Sequence, residues 1–454
     1  MSLINAAIAA TRFGLGARPG EITGSAANPR NSLLRQIRPE GGPTLSGAPS
    51  SREAGLTFLA YREDIDRIQS QGDPDPDAAA QRARDRLRAV QHSHLDARTA
   101  LAVNTPDGFA ERWVRFWSNH FSVSADGPEM SVLAPTLEAE AVRPNAFASF
   151  EQLALASILH PAMLAYLDNK ASIGPNSPLG RQSGRGLNEN LAREVLELHT
   201  LGPQGGYRQA DVEAFARALT GWTIGSPRLH DSRAWGQALF DSRLHERGAQ
   251  TILGVRYPDT GGEQARAVIR DLARSGGTAR RLSEKLAHHF LSDAPSPDQI
   301  DHIDRAWRQS DGDLAEVAAA LLHAPGAFDT AFTQFKSPEA FLISALRALD
   351  VAPPRGQRLL GAFAAVGQIP FSAPSPEGWP DDEASWADPD AIKKRLEFSN
   401  TLARQTARGV PPLQRAETAL GERLSAETGL AVRRADSEVQ GLTLLLMSPD
   451  FLRR

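Results

Sequence analysis

Apolar side chains recur at spacings of three and four residues over most of this chain. Such a stripe lies on one face of an α-helix, whereas a half-buried strand needs strict alternation. Ala, Leu, Arg and Glu, which favour helices, are also frequent. The pattern predicts helices over residues 52–71, 76–103, 108–119, 148–157, 161–167, 187–201, 209–220, 262–274, 278–292, 297–309, 314–323, 338–349, 389–404 and 438–447.

One stretch, residues 238–258, has the character of strands. Its segment 251–257 is short, rich in β-branched residues and bounded by Gly and Pro. Glu246, Arg247 and Gly248 stand where the turn of a hairpin would fall. The predicted fold class is therefore mainly α and multi-helical, with two packed helical lobes and one small β-hairpin.

The 454 residues are enough for one large or two ordinary domains. We divide them into an N-terminal helical lobe over residues 1–225 and a C-terminal helical lobe over residues 263–454. A loop and the small hairpin, residues 226–262, join the lobes. The sequence contains no internal repeat or low-complexity tract, and we expect these parts to form one unit.

Composition excludes several classes of function. A net charge of -4 and a pI near 6.3 argue against broad nucleic-acid binding. The absence of cysteine excludes disulfides, thiolate nucleophiles, iron–sulfur clusters and thiolate zinc sites. No apolar run is long enough for a membrane span, and no secretory signal precedes the first helix. We therefore expect a soluble cytoplasmic protein, with a periplasmic location through a partner or a processed start as the alternative.

Three Gly-, Ser- and Pro-rich stretches interrupt the helical pattern, at residues 170–186, 224–250 and 367–388. Long irregular loops in a compact protein are usually functional or disordered. The last one contains Phe371, Trp379 and Trp386, and aromatic residues are scarce in disordered segments. We expect that loop to be ordered and packed against the helices.

The segment NENLAREVLELHTLG, residues 188–202, concentrates charge on one predicted helix face. On a regular helix Glu189, Arg193, Glu194 and Glu197 share that face, and His199 falls in the apolar arc. One interpretation is a solvated face with i,i+4 ion pairs, which is the more common arrangement. The other is the wall of a cavity, where the carboxylates would serve as ligands or as a proton-transfer pair.

Blocks along nearly the whole chain are similar to one bacterial family. They include ATRFGLGARPGE, WVRFWSNHFS, GLNENLAREVLELHTLG with GGYRQADVEAFARALTGWT, SEKLAHHFLSD, FKSPEAFLISALRAL and GQIPFSAPSPEGWPDDEASW, in the family's order. The chain resembles the family known as domain of unknown function 1800. One departure is Ser275-Gly276-Gly277, where the family usually has a turn containing His-Pro, so we place no function there.

The resemblance implies a partner and no particular reaction. Genes of this family commonly neighbour those of a second family, domain of unknown function 1501. Members of that second family look like exported sulfatase- or phosphatase-like proteins. The resemblance therefore implies that a protein of this kind, encoded nearby, is the binding partner.

A histidine and several carboxylates form the first candidate site. His120 ends an aromatic helix, and Glu194 and Glu197 lie on the charged face. His120 would act as a general base with these carboxylates, or the three would bind a divalent metal. Candidate ligand-binding residues around them are Asn119, Asn188, Glu189, Arg193, His245 and Trp222, with Arg193 as a clamp for an anion. The alternative is that these residues are helix caps and buried hydrogen-bonding pairs.

Other candidate constellations give weaker patterns. In EKLAHHF, His288 and His289 diverge by about 100° and cannot chelate one ion as an i,i+4 pair would. We expect an ordinary helix there, with one inward and one outward histidine and Lys285 on the same face as His289. The sequence contains no phosphate-binding loop, no nucleophile elbow and no His-Glu-x-x-His.

Two functions remain open from the sequence. One is an enzyme or ligand-binding protein with a buried His/Glu/Asn/Arg site between the lobes, acting through acid–base or metal-assisted chemistry. The other is a non-catalytic helical scaffold or escort for the neighbouring exported protein. Co-purification with that neighbour, together with an elemental scan of the purified protein, distinguishes the two.

Overall fold

The computed structural model describes residues 3–71, 74–227, 230–332, 334–407 and 409–454. In the first half, α-helices span Leu3–Ile8, Glu21–Ser25, Pro29–Leu34, Ser51–Gln71, Pro76–Asn104, Gly108–His120, Gly127–Leu137, Arg143–Asn145, Phe150–Ile158, Pro161–Tyr166, Pro178–Ser183, Asn190–Glu194 and Gln209–Leu219. In the second half they span Gly262–Arg274, Gly276–Phe290, Pro297–Gln309, Leu314–His323, Pro338–Leu349, Gln357–Val366, Pro389–Thr406, Pro412–Leu420, Ala426–Arg433, Glu438–Met447 and Pro449–Leu452. The predicted fold class, mainly α, is confirmed.

Helix starts follow local sequence chemistry. Proline occupies the first turn of several helices, including Pro338–Leu349 and Pro389–Thr406, where its missing N–H costs no hydrogen bond. Ser149 and Ser296 each form a capping box with a glutamine three residues later. These caps satisfy N–H groups that a helix leaves unpaired at its start, which explains why the helix boundaries lie close to the predicted ones.

The described residues include three π-helical turns, at Ala9–Phe13, Glu138–Val142 and Val195–His199. Such turns insert an extra residue and often mark functional positions. The regular 3.6-residue repeat cannot reveal them, so the predicted continuous helix over residues 187–201 is wrong in its second half. Short 3₁₀ helices span Asn169–Ala171, Ser232–Ala234 and Gly421–Arg423.

The strands form two small antiparallel sheets where one hairpin was predicted. β1 (Trp222–Ile224) pairs with β2 (Ala238–Phe240), and β3 (Gln250–Ile252) pairs with β4 (Val255–Tyr257). The turn of the second pair is Leu253–Gly254, both with positive φ, which is the backbone of a type I′ hairpin turn. The predicted turn at residues 246–248 is therefore wrong, and the segment 251–257 is the tip of the hairpin instead of one strand.

Two large hydrophobic clusters organise the helices. The first extends from Ile8 to Ala327, and the second consists mainly of residues 335–452 with Leu95, Ala102 and Val103 from an early helix. The first cluster contains side chains from both sides of the predicted lobe boundaries at residues 225 and 263. The division of the chain into two lobes at these boundaries stays a prediction. The predicted connecting segment 226–262 also includes residues 228–229, which lie outside the described residues. Among the described helices, none combines the length and the apolar character required to cross a bilayer.

Candidate functional site

The charged segment at residues 188–202 is divided by a π-helical turn. Asn190–Glu194 is α-helical, and Val195–His199 follows as the π-turn. The additional residue keeps both His199 and Thr200 on the buried side. The prediction that His199 lies among apolar side chains is correct, although the backbone that places it there is irregular.

The polar side of this segment carries contacts typical of a partly solvated helix face. Arg193 donates hydrogen bonds to Glu189 at 3.1 Å and to Gln209 at 3.0 Å. The side chains of Arg193 and Glu189 are 40% and 32% exposed. Glu194 and Glu197 are half-buried, and burial, followed by repulsion from Glu197, raises the pKa of Glu194.

His120 pairs with His199 from this segment. The Nε2 atom of His120 lies 3.2 Å from the carbonyl oxygen of His199, and Nδ1 of His199 lies 3.1 Å from the carbonyl oxygen of His120. Because carbonyls only accept, these ring nitrogens carry the protons. The Nδ1 atom of His120 is then an acceptor, 3.4 Å from Nζ of Lys285. Burial and the charge of Lys285 hold the pKa of His120 well below its usual value.

The predicted metal ligands His120, Glu194 and Glu197 do not assemble into a metal site. Across the described ranges, no group of three or more His, Asp or Glu side chains is placed to hold an ion. His120 contacts the segment through His199, which is buried, whereas Glu194 and Glu197 are half-buried. A metal held by His120, Glu194 and Glu197 therefore stays a prediction that this arrangement does not support.

Three of the predicted ligand-binding residues have local structural partners. The side chain of Asn188 accepts the backbone N–H two residues later at 2.9 Å, which stabilises the start of the helix. Nδ1 of His245 lies 2.8 Å from the Thr220 carbonyl oxygen. The indole of Trp222 donates to the Gly262 carbonyl at 3.2 Å. These contacts lie at a helix start and around the β1–β2 sheet, so they bring no side chain to His120.

Asn119 holds the loop at residues 367–388, here termed the Gly-Trp-Pro loop. Its amide donates to the Trp379 carbonyl at 2.9 Å and accepts the Trp379 N–H at 2.8 Å. The indole of Trp386 donates to the Pro380 carbonyl at 2.9 Å. The loop is ordered by these hydrogen bonds, as its aromatic content predicted, and Asn119 acts as its anchor.

Gly378 permits this close approach, and Gly378→Ala is expected to release the loop. Its φ is +92°, and an added Cβ would lie 2.5 Å from the Asn119 carbonyl oxygen. Backbone atoms cannot yield as a flexible side chain can, so we expect a loss of about 1–3 kcal/mol and faster proteolysis within the loop. Gly184→Ala is the control, because Gly184 also has positive φ but has no atom within 4 Å of the added Cβ. Equal effects of the two changes would contradict the close-packing argument.

A partly enclosed cavity of about 110 Å³, here termed the inner cavity, adjoins this loop. Its walls come from both halves of the chain and include Arg98, Arg112, Arg115, Lys336, Asp381 and Arg454. Apolar wall is supplied by Leu15, Phe121 and Ile343. A cavity with several convergent charges and an apolar remainder has the usual character of a small-ligand site.

One side of the inner cavity is electrostatically balanced. Arg98 donates to Glu138 at 2.7 Å, and Arg115 donates to Glu339 at 2.6 Å. Arg98 also pairs with Glu339. Burial alone would raise the pKa of Glu138, but Arg98, Arg143 and Arg115 lower it overall. This network stabilises the wall and leaves little net charge for a ligand.

The other side carries an excess of positive charge. Arg112, Lys336 and Arg454 are 2%, 3% and 7% exposed, and the carboxylate beside them is Asp381, 3.8 Å from Arg454. Within the described part of the chain, the Nη1 atom of Arg112 has no hydrogen-bond partner, and the ammonium of Lys336 makes no hydrogen bond or ion pair. That ammonium lies 4.0 Å from the centre of the Phe451 ring. Three buried cations therefore have one carboxylate at ion-pair distance, Asp381, and a more distant one, Asp293, near Arg454.

Arginines behind the wall increase this excess. Burial first, and then Arg423, Arg454, Arg395 and Arg112, hold the pKa of Lys336 well below its usual value. Guanidinium groups stay protonated in proteins, so the arginines keep their charge although burial removes its hydration, which destabilises the folded state. Lysine is the one cation of the group that can lose its proton.

His289 connects the cationic side to the Gly-Trp-Pro loop. Its Nε2 accepts from Nε of Arg112 at 3.2 Å, and its Nδ1 pairs with the Asp381 carboxylate. Burial, together with Arg112, lowers the pKa of His289 to about 4 despite the nearby Asp381. Burial would raise the pKa of Asp381, but His289, Arg454 and Arg112 lower it to about 2. The two side chains are 15% and 31% exposed, and this exposed surface faces the cavities they line.

A second, larger depression of about 720 Å³, here termed the outer groove, lies on the opposite side of the same wall. His120, Lys285, His288 and Glu377 line it. The inner cavity and the outer groove share Asn119, His289, Trp379, Pro380 and Asp381. The predicted residue His120 therefore belongs to the outer groove, and the predicted residue Asn119 belongs to the wall between the two spaces.

Most residues of the inner cavity were missed by the sequence analysis. Arg112, Lys336, Asp381 and Arg454 come from four separate parts of the chain, and no spacing rule connects them. His289 was considered but interpreted as part of an ordinary helix. One usable indication existed: of 50 cationic residues only five are lysine, and Lys336 stands directly before a helix in an apolar context.

Comparison with known proteins adds a family and no activity. No curated protein and no solved structure shows significant similarity to this chain. A family model with the description "Protein of unknown function (DUF1800)" matches residues 8–453. The match covers the described helices after Leu3–Ile8 and the lining of both cavities except Arg454. The chain therefore belongs to the DUF1800 family.

Proposed function

We propose that this protein binds a small anionic molecule in the inner cavity through Arg112, Lys336 and Arg454. The observation that carries the proposal is the charge imbalance: among the described residues the three buried cations form one ion pair, between Arg454 and Asp381, and Asp293 lies farther from Arg454. Buried charges are normally paired, because an isolated one costs several kcal/mol of desolvation, of the order of the whole stability of a domain. An anion between these side chains would supply the missing partner.

The cavity also limits the class of ligand. A volume of about 110 Å³ accommodates a few heavy atoms in addition to the anionic group. Guanidinium groups bind carboxylate and phosphate oxygens through paired N–H donors, and Nη1 of Arg112 is free for this among the described residues. Leu15, Phe121 and Ile343 would contact the carbon skeleton. A small carboxylate or phosphate ester fits this description.

Binding should be linked to proton uptake. The pKa of Lys336 is lowered by burial and by the neighbouring arginines, and an anion beside the ammonium would raise it again. The charged form is favoured in the complex, so affinity should fall as pH rises above the lowered pKa of Lys336. Calorimetry in buffers of different ionisation enthalpy would measure the proton uptake directly.

Ligand-induced stabilisation tests the proposal. We expect inorganic phosphate or a set of small carboxylates to raise the melting temperature of the full chain at constant ionic strength, while matched chloride does not. Anion at about 100 times Kd stabilises a one-site protein by about 2.7 kcal/mol. Lys336→Met should abolish the shift, and Lys393→Met should preserve it, because Lys393 is 70% exposed. No shift with any anion, or equal shifts in both variants, would contradict the proposal.

The reaction class and the partner stay predictions. His120 lines the outer groove and has an unprotonated Nδ1, which supports acid–base chemistry there, whereas neither Glu194 nor Glu197 lines this groove. An escort role with a domain of unknown function 1501 protein would appear as a stable complex on co-purification. Such a complex with unaltered anion binding would support both functions in one protein.

A further inference from the structure

Lys285 is a half-buried amine that the anion site does not use. It lies on the Gly276–Phe290 helix and lines the outer groove, so it is surrounded by protein and still reachable from the groove. Among the described residues it forms no ion pair with a carboxylate. Its ammonium lies 3.4 Å from Nδ1 of His120.

His120 is placed to accept a proton from this amine. Its Nε2–H is used by the His199 carbonyl, so the lone pair of Nδ1 points to Lys285. A neutral imidazole acceptor stabilises an amine N–H without supplying the negative charge that would keep the amine protonated. The pair therefore has the arrangement of a nucleophile and its base.

We propose that Lys285 is a nucleophile that forms an imine with a small aldehyde or ketone in the outer groove. The neutral amine attacks the carbonyl carbon, and a C–N bond forms as the C=O π bond opens. His120 takes the proton from nitrogen and returns it to the former carbonyl oxygen. The resulting carbinolamine loses water to give the imine, so the balance is amine plus carbonyl compound to imine plus water, without any oxidant or reductant.

Burial and the neighbouring charges increase the neutral fraction of this amine. Burial, followed by the charge of Arg281 one turn earlier on the same helix, lowers the pKa of Lys285 to about 8 against the opposing effect of Asp381 and Glu377. At pH 7 about a tenth of such a group is unprotonated, compared with roughly one in several thousand for an exposed lysine. The other groups facing this amine are His120, His199, Glu284 and His288.

Composition points in the same direction. The chain uses arginine for nearly all its positive charge and has only five lysines, of which Lys285 and Lys336 are enclosed by protein. An arginine at residue 285 would be permanently charged, whereas a lysine can lose its proton and react. If residue 285 served only to supply a positive charge, arginine, which is far more common in this chain, would serve equally well.

Reductive alkylation tests the proposal on the full chain. The protein is treated briefly with limiting propanal and sodium cyanoborohydride at pH 7, and N-propylated peptides are quantified by mass spectrometry. We expect Lys285 to react at least about tenfold faster than Lys170, Lys393 and Lys394, because its much larger unprotonated fraction outweighs the weaker nucleophilicity of a less basic amine. The peptide map also separates Lys285 from the α-amino group of the chain.

The pH profile and matched variants complete the test. The rate at Lys285 should level off above pH 8, whereas the rates at exposed lysines should keep rising toward about pH 10.5. Lys285→Arg should remove the fast adduct, Lys393→Arg should leave it, and His120→Asn should slow it. If Lys285→Arg fails to fold, the relative propylation rates of the five lysines in the unaltered chain still show whether Lys285 is the fast-reacting amine. Labelling of exposed lysines at the same rate as Lys285, or no levelling off, would overturn the proposal.

Discussion

Lys336→Met is expected to increase the free energy of unfolding by about 1–3 kcal/mol, although most buried substitutions destabilise a protein. Lys336 is 3% exposed, and its ammonium has no carboxylate partner among the described residues. Methionine has a similar volume and length, and it would keep the contact with the Phe451 ring. The substitution therefore removes an uncompensated charge without leaving a cavity, and urea unfolding would measure the gain.

The gain should depend on pH in a defined direction. The folded-state pKa of Lys336 lies well below its ordinary value. Between the two pKa values the unfolded chain holds the proton that the folded chain has lost, so the penalty shrinks by about 1.4 kcal/mol per pH unit as pH rises. The advantage of Lys336→Met should consequently be constant below the folded-state pKa and should disappear as pH approaches about 10.4.

Two variants serve as controls for Lys336→Met. Lys393→Met changes the same chemistry at a side chain that is 70% exposed, so its effect should be within about 0.5 kcal/mol. Arg112→Met should also lose anion binding, but it removes the hydrogen bonds that Arg112 donates to His289. A destabilised Lys336→Met protein that still binds anions would show that Lys336 supports the fold and that the anion lies elsewhere.

The helical architecture could be predicted from the sequence because its determinants are local. Apolar spacing, proline in the first turn and serine caps all act within a few residues, and the Pro338–Leu349 and Pro297–Gln309 helices match their predicted bounds. The π-turn at Val195–His199 could not be predicted, since it depends on packing against distant segments, including the contact between His199 and His120. Tertiary contacts outweighed the regular helical repeat at that point.

The inner cavity could not be predicted because its charges are brought together by the fold. Arg112 contacts His289, which is 177 residues away in sequence, and Arg454 reaches Asp381 from the far end of the second core. The sequence around Lys336 shows only a lysine that precedes a helix and gives no sign that other cations lie close to it. The charged face at residues 188–202 drew attention because its charges are adjacent in sequence, yet Arg193 there pairs within its own helix. The cluster of charges in the sequence therefore identified a partly exposed helix face. The buried charges of the inner cavity are far apart in sequence and form no such cluster.

Glu138→Gln is expected to lower the free energy of unfolding by about 3–5 kcal/mol, because it leaves buried arginines without their counter-charge. Glu138 is fully buried, accepts from Arg98 at 2.7 Å and pairs with Arg143 at 2.6 Å. Glutamine has nearly the same shape as glutamate and keeps one carbonyl oxygen. The decrease in the free energy of unfolding therefore measures the effect of removing the charge and not an effect of side-chain volume. Chemical unfolding at neutral pH, where the carboxylate is ionised in both states, is the appropriate measurement.

The pH dependence of Glu138 provides the independent check. Its folded pKa is depressed below the unfolded value near 4.3, so its contribution is fully present above that value and is lost as pH falls toward the folded pKa. The difference between the original protein and Glu138→Gln should therefore narrow below about pH 4. Glu397→Gln is the control, since Glu397 is 67% exposed and its ion pair with Lys393 should contribute less than about 1 kcal/mol. If Glu138→Gln lowered the free energy of unfolding as little as Glu397→Gln does, water would have to reach the balanced side of the inner cavity. The proposed difference between the paired charges on that side and the unpaired charge of Lys336 would then be contradicted.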